Sequence, residues 1–149
     1  MKVKIYYKHA RKGMRQRYRR AEDFRVVFRW ARRELEVANA ANFASQGSAS
    51  GRPWMPLDDE YARWKLEHYG PLPILIQTGT LAESLVRLRG RPNEINRKSA
   101  VFGTSVKHAK YHQYGTRHMP ERKVAFTPPL FLRRVGKKMA EHFVHGNIR

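Results

Sequence analysis

The chain has 149 residues, 41% of them hydrophobic, and carries 31 Lys plus Arg against 12 Asp plus Glu, a formal charge of +19. This length suits one domain around one core, and the absence of cysteine rules out a disulfide framework or a cysteine-based zinc site. Residues 72–76, the longest apolar run, are broken by Pro73 and fall far short of the roughly 20 residues that cross a bilayer; with no apolar signal core at the N-terminus, the expectation is assembly in the cytoplasm and no membrane partner.

Residues 2–7 alternate Val3, Ile5 and Tyr7 with Lys2, Lys4 and Tyr6, a period of two that predicts a half-buried strand. An extended basic arm follows, with Lys8, Arg11, Lys12, Arg15, Arg17, Arg19 and Arg20 around Gly13. Residues 1–33 hold 13 basic side chains and only two acids, Glu22 and Asp23. Such a field favours polyanions, whether nucleic acid or an acidic protein surface. The arm reads either as a polyanion contact, with Tyr6, Tyr7 and Tyr18 available for stacking, or as a solvated tail.

Residues 21 to about 43 predict the clearest helix, because Phe24, Val27, Phe28, Ala31, Leu35 and Ala38 recur at helical spacing. Residues 45–53, SQGSASGRP, predict a flexible connector; they lack the Lys-Ser/Thr of a phosphate-binding loop. Asp58 is placed to cap a helix running to about His68 and stopped by Gly70, with Tyr61, Trp64 and His68 on one face. Residues 71–77 read as extended. Thr80 and Glu83 have capping-box spacing ahead of Leu81, Leu85 and Leu88.

A Gly/Pro turn at 89–93 precedes a strand over 95–102. A short helix over 105–114 ends at Gly115, and residues 123–126 read as a second strand. Thr127 and Pro128 suit an N-cap and first helical position, with Leu132, Val135, Met139 and Phe143 forming the apolar face of a C-terminal helix. The predicted class is α+β: a small antiparallel sheet packed against a long N-terminal helix and a C-terminal helix, with a basic arm over 1–20 and a single domain over 21–149.

Chemistry-bearing sets are sparse. His108 and His112 share a helical face and His118 follows, but no acid lies between Glu94 and Glu121, unlike the helices of zinc proteases. No serine elbow is present, and the acids at 58–60 are explained by a helix start. The chain reads as non-enzymatic, with no cofactor.

Three stretches resemble the virion-morphogenesis and tail-completion proteins of Mu-like tailed phages. The first is Phe43-x7-Gly51-Arg52-Pro53-Trp54-x-Pro56-Leu57, followed by Lys65. The second is Ile74-Leu75-x2-Thr78-Gly79-x-Leu81-x2-Ser84-Leu85. The third is Phe102-Gly103-Thr104-x4-Ala109-x2-His112-Gln113-x-Gly115, then Met119-Pro120-x-Arg122. The resemblance covers about 24–145. It departs from the family where residues 123–126 stand in place of a proline and an aromatic, and the basic arm lies beyond it.

The resemblance implies a structural protein of the head–tail junction, of the tail completion or tail terminator type. Such a protein works as a ring, commonly of six copies, that joins the tail to the head connector, with DNA passing through its channel. In that setting Gly79, Gly103 and Gly115 permit turns that a Cβ would hinder, and Trp54 and Leu57 anchor a loop. His112, Gln113 and Arg122 tie strands to a helix or face a neighbouring subunit. A different reading is a sequence-independent nucleic-acid-binding module acting through the basic arm.

Overall fold

The longest element is α2 (Arg25–Ala44), and two separate clusters form along it. The computed structural model describes residues 8–146, with side chains from Gly13 onward; the strand expected over 2–7 lies outside the described residues. The order is α1 (Lys8–Ala21), α2, a 3-10 turn (Ser48–Ser50), α3 (Asp59–Tyr69), α4 (Thr80–Val86), β1 (Glu94–Ile95), β2 (Ala100–Val101), α5 (Ala109–Tyr114) and α6 (Phe131–His145). The class is α+β, with six helices and a two-stranded antiparallel sheet. The described residues divide into two compact units, residues 8–31, 95–100 and 130–146 in one, residues 32–94 and 101–129 in the other.

In the first unit, the segment read as an extended arm is helical from Lys8. Its Arg, Lys, Gln, Met and Ala are strong helix formers, and a tertiary partner is present. Helix α1 packs on α6, and Arg20 Nη1 donates to the Val144 carbonyl at 2.8 Å. The predicted start of α2 moves from Ala21 to Arg25 because Asp23 breaks the two helices apart. Its carboxylate accepts from the Arg25 backbone N–H at 3.1 Å and from the Arg25 side chain at 2.9 Å. The tip of the β-hairpin joins this unit, with the Arg97 carbonyl accepting from the Phe24 N–H at 2.7 Å.

Helix α6 departs from expectation in start and in face. It begins at Phe131 after Leu130 in a left-handed conformation (φ 62°), not at Thr127–Pro128. Phe131 and His142 are buried while Leu132 is 77% exposed and Phe143 is also exposed. His142 displaces Phe143 from the interior because it has a polar task there. Its Nε2 donates to the Asp23 carbonyl at 2.9 Å, and its ring meets Phe24 edge-on at 5.8 Å. On the same unit, Arg134 and Lys138 lie over the Trp30 ring at 5.5 and 5.9 Å.

The second unit is built on Phe43, Trp54, Leu81, Leu85, Ala109 and Val124. Trp54 meets Phe43 edge-on at 5.3 Å. Among the described residues no strand lies beside residues 123–126, read as a strand from the sequence; side chains do the pairing instead. The Lys123 carbonyl accepts from Asn42 Nδ2 at 2.8 Å and from Trp54 Nε1 at 3.0 Å. Gln113 Oε1 accepts from the N–H groups of Val124 and Ala125 at 3.0 and 2.9 Å. Asn39 Oδ1 accepts from the Phe126 N–H at 2.9 Å, while its Nδ2 donates to the Leu85 carbonyl at 3.1 Å.

The remaining differences have local causes. The strand expected over 95–102 turns back on itself, with the Asn96 N–H donating to Ser99 at 2.8 Å. The connector at 45–53 folds into hydrogen-bonded turns in which the Trp54 N–H donates to the Gln46 carbonyl at 2.8 Å. Gly47 is required there: its φ is +93°, and a Cβ would sit 2.5 Å from Trp54 Cδ1. Asp58 caps α3 as predicted, accepting from the N–H of Glu60 at 3.0 Å. The capping box at Thr80 does not form. Gly79, at φ +80°, is the N-cap of α4, and Thr80 Oγ1 pairs with Thr78 Oγ1 at 2.9 Å. Helix α5 is shorter than predicted, because the chain enters it through turns at 107–108.

If buried amides replace a strand partner, their loss is expensive. Asn39→Leu leaves the Phe126 N–H and the Leu85 carbonyl unpaired and should cost about 2–3 kcal/mol in urea unfolding. Val37→Asn, on the exposed face of the same helix, should stay within about 0.5 kcal/mol.

Candidate functional site

The three sequence stretches that carried the resemblance meet in the second unit around a cleft of about 520 Å³. Leu57 comes from the first, Thr78, Gly79 and Leu81 from the second, and His112, Pro120 and Arg122 from the third. Each reaches the cleft for a local reason. Asp58 starts α3 and aims Tyr61 and Lys65 inward, one helical turn apart. Gly79 starts α4 and buries Leu81. Gly115, at φ +69°, closes α5 in a space where a Cβ would lie 2.9 Å from the Glu121 N–H nitrogen. The following corner then returns so that the Arg122 N–H donates to the His112 carbonyl at 2.7 Å.

Two cations are buried here. Lys65 is 4% exposed and its Nζ donates to the carbonyls of Leu72 and Pro73 at 3.2 and 2.6 Å. Arg122 is 6% exposed; its Nε and Nη2 donate to the carbonyls of Met55 and Pro56 at 2.9 and 2.8 Å. Among the described residues neither pairs with a carboxylate. Burial pushes both pKa values down. His112 is lowered too, first by burial and then by the neighbouring His108 and Arg122, and its Nδ1 is buried without a partner. Among the described residues, no group of three His, Cys, Asp or Glu side chains is arranged to hold a metal ion.

The chain matches the sequence pattern of the phage virion morphogenesis family over residues 7–140. It belongs to that family. No curated protein and no solved structure gives a significant match. The match takes in residues 8–21 of α1, which lie outside the 24–145 span of the resemblance. Membership gives this virion morphogenesis protein a role in building the phage particle, in company with other phage structural proteins.

The other predicted residues serve the scaffold around the cleft. Trp54 and Gln113 pair residues 123–125, and the Pro56 carbonyl holds Arg122. Gly103 has no left-handed backbone, and a Cβ there would meet only Pro92 Cγ at an ordinary 3.5 Å. Its part is to pair both backbone groups with the Asn93 side chain, at 2.8 and 3.0 Å. Thr104 Oγ1 bonds to Ser84 Oγ at 2.7 Å and accepts from the Val106 N–H at 3.1 Å. Of the basic set, Arg15, Arg17 and Arg19 are exposed on α1 and Arg20 is tied to α6; the side chains of Lys8, Arg11 and Lys12 lie outside the described residues.

Sequence reasoning assigned no role to Asn39, Asn42 or Asn93, and none to Lys65 beyond its place after the first stretch. A signal existed for the first two: Asn39 and Asn42 follow the apolar face of α2 at helical spacing, where polar side chains are out of place unless they have buried partners.

The lowered His112 pKa fixes a pH dependence. The unfolded chain binds this proton more readily than the folded one, so the neutral ring's contribution is fully present above about pH 6.5 and is lost as pH falls toward the folded value. NMR titration should show His112 protonating below the ordinary histidine range. His108→Gln, which removes the neighbouring imidazole that helps to lower it, should move that midpoint upward.

Proposed function

We propose that this chain is a structural subunit of the phage head–tail junction, of the tail completion type, whose copies form a ring, sixfold by family analogy, that joins the tail to the head connector. It acts by assembly and not by catalysis. The observation that supports the reading most directly is the apolar surface left outside on α3. Tyr61, Trp64 and Tyr69 are each more than 40% exposed. Trp64 stacks between Tyr61 at 5.6 Å and His68 at 4.7 Å, giving a rigid aromatic strip. Monomeric proteins keep such strips small, whereas subunit interfaces are enriched in them. Tyr69 meets Trp64 edge-on at 5.8 Å and extends the strip. The charge of +19 favours docking on an acidic neighbour and speeds it.

Native mass spectrometry and electron microscopy of the purified chain should show closed oligomers, and virions should contain it. Trp64→Ser should raise the concentration needed for assembly about tenfold with no loss of folded circular dichroism. A strictly monomeric chain absent from virions would overturn the reading.

Exposed Arg15, Arg17 and Arg19 with Tyr18 on α1 favour a second activity, sequence-independent contact with nucleic acid. Binding of a 20-mer oligonucleotide should weaken steeply with salt, and replacing the three arginines with alanine should lower the salt slope by about two to three while leaving oligomers intact.

A further inference from the structure

We propose that the cleft beside α3 is a docking site for an acidic peptide segment of another virion protein, one that presents a carboxylate next to apolar side chains. This rests on the assembly reading for its partner, while the cleft itself supplies the chemistry.

Lys65 and Arg122 bring two positive charges into the cleft lining, and both are satisfied only by carbonyl oxygens. Carbonyl dipoles orient and stabilise a cation but carry no net charge, so positive potential remains. At a buried site that potential is weakly screened by salt. The acid in the lining, Asp58, already accepts from the N–H groups of Glu60 and Tyr61 as a helix cap.

Leu57, Leu75, Ile76, Leu81 and Met119 give the wall an apolar part beside Gln77, Thr78 and Thr80. About 520 Å³ holds a few side chains. An anion without an apolar body, such as phosphate or a nucleic-acid backbone, would leave that wall uncovered. A second copy of this chain is a poor source of the occupant. It has 12 acids against 31 basic residues, and its densest acidic run, 58–60, starts at the cleft's own lining. Charge complementarity therefore selects a different and acidic chain.

The probe is a fluorescein-labelled peptide, Leu-Asp-Leu-Glu-Leu-Asp-Leu, with its Asn/Gln counterpart, followed by anisotropy on the full chain in about 0.15 M salt. Two variants carry the same change of net charge. Thr78→Glu places a competing carboxylate in the cleft lining, and Thr127→Glu places one on the surface away from it. Both sites are exposed, and circular dichroism checks that both variants fold. The expected result is binding of the acidic peptide, about tenfold weaker for the neutral peptide and for Thr78→Glu, and within about twofold of wild type for Thr127→Glu.

Equal weakening by both variants would reduce the effect to net charge and overturn the proposal. So would equal affinity for the neutral peptide, or displacement of the acidic one by inorganic phosphate or by a short oligonucleotide. The oligomeric state, measured on the same samples, separates the two readings. Closed oligomers with Thr78-insensitive binding defeat the cleft alone, whereas monomers with Thr78-sensitive binding defeat only the assembly reading.

Discussion

The second unit depends on one constraint: the backbone at 123–126, which carries the buried Val124 and the half-buried Phe126, must have its hydrogen bonds made. Among the described residues no strand lies beside it to make them. Asn39, Asn42, Trp54 and Gln113 make them with side chains drawn from α2, the 45–54 loop and α5. Together these four side chains tie three elements to the same short segment. The loss of one partner is felt as a whole unsatisfied buried group and not as one weak bond. This explains why a short run with a strand-like sequence can sit at the centre of a unit whose sheet is only two short strands elsewhere.

The cleft follows from that arrangement. With 123–126 held, the corner just before it, through Pro120 and Arg122, stands against α3 and the loop ahead of it. Arg122 is anchored there by the carbonyls of Met55 and Pro56, and Lys65 by those of Leu72 and Pro73. Both are interior cations serving as ties between loops. Burying a charge is costly unless its donors are satisfied, and loop carbonyls, which have no helix or sheet to bond, are suitable acceptors. Among the described residues neither cation is given a carboxylate, and Asp58 in the lining is taken up as the cap of α3.

Outside the two units' interiors, the molecule presents two contrasting surfaces. The strip on α3 is aromatic and apolar, and α1 is arginine-rich with Tyr18 exposed. A protein that helps to build a particle has to meet several neighbours of different chemistry. An apolar surface associates by burial and a basic one by long-range attraction.

Much was legible in the sequence. The apolar face of α2 at Val27, Phe28 and Ala31, the Asp58 cap and the stops at Gly70 and Gly115 are local patterns, and the structure contains each of them. The family could be read from three spaced stretches because spacing survives as sequence. What needed tertiary structure is whatever depends on a distant partner. Residues 8–20 are helical with α6 packed against them, and α6 turns His142 inward with the Asp23 carbonyl as its acceptor. Thr80 loses its cap to Gly79 where the backbone turns left-handed, and 123–126 takes amides in place of a strand. Local pattern reports which conformations a segment tolerates; which of them is adopted is decided by the buried groups that must find partners many residues away.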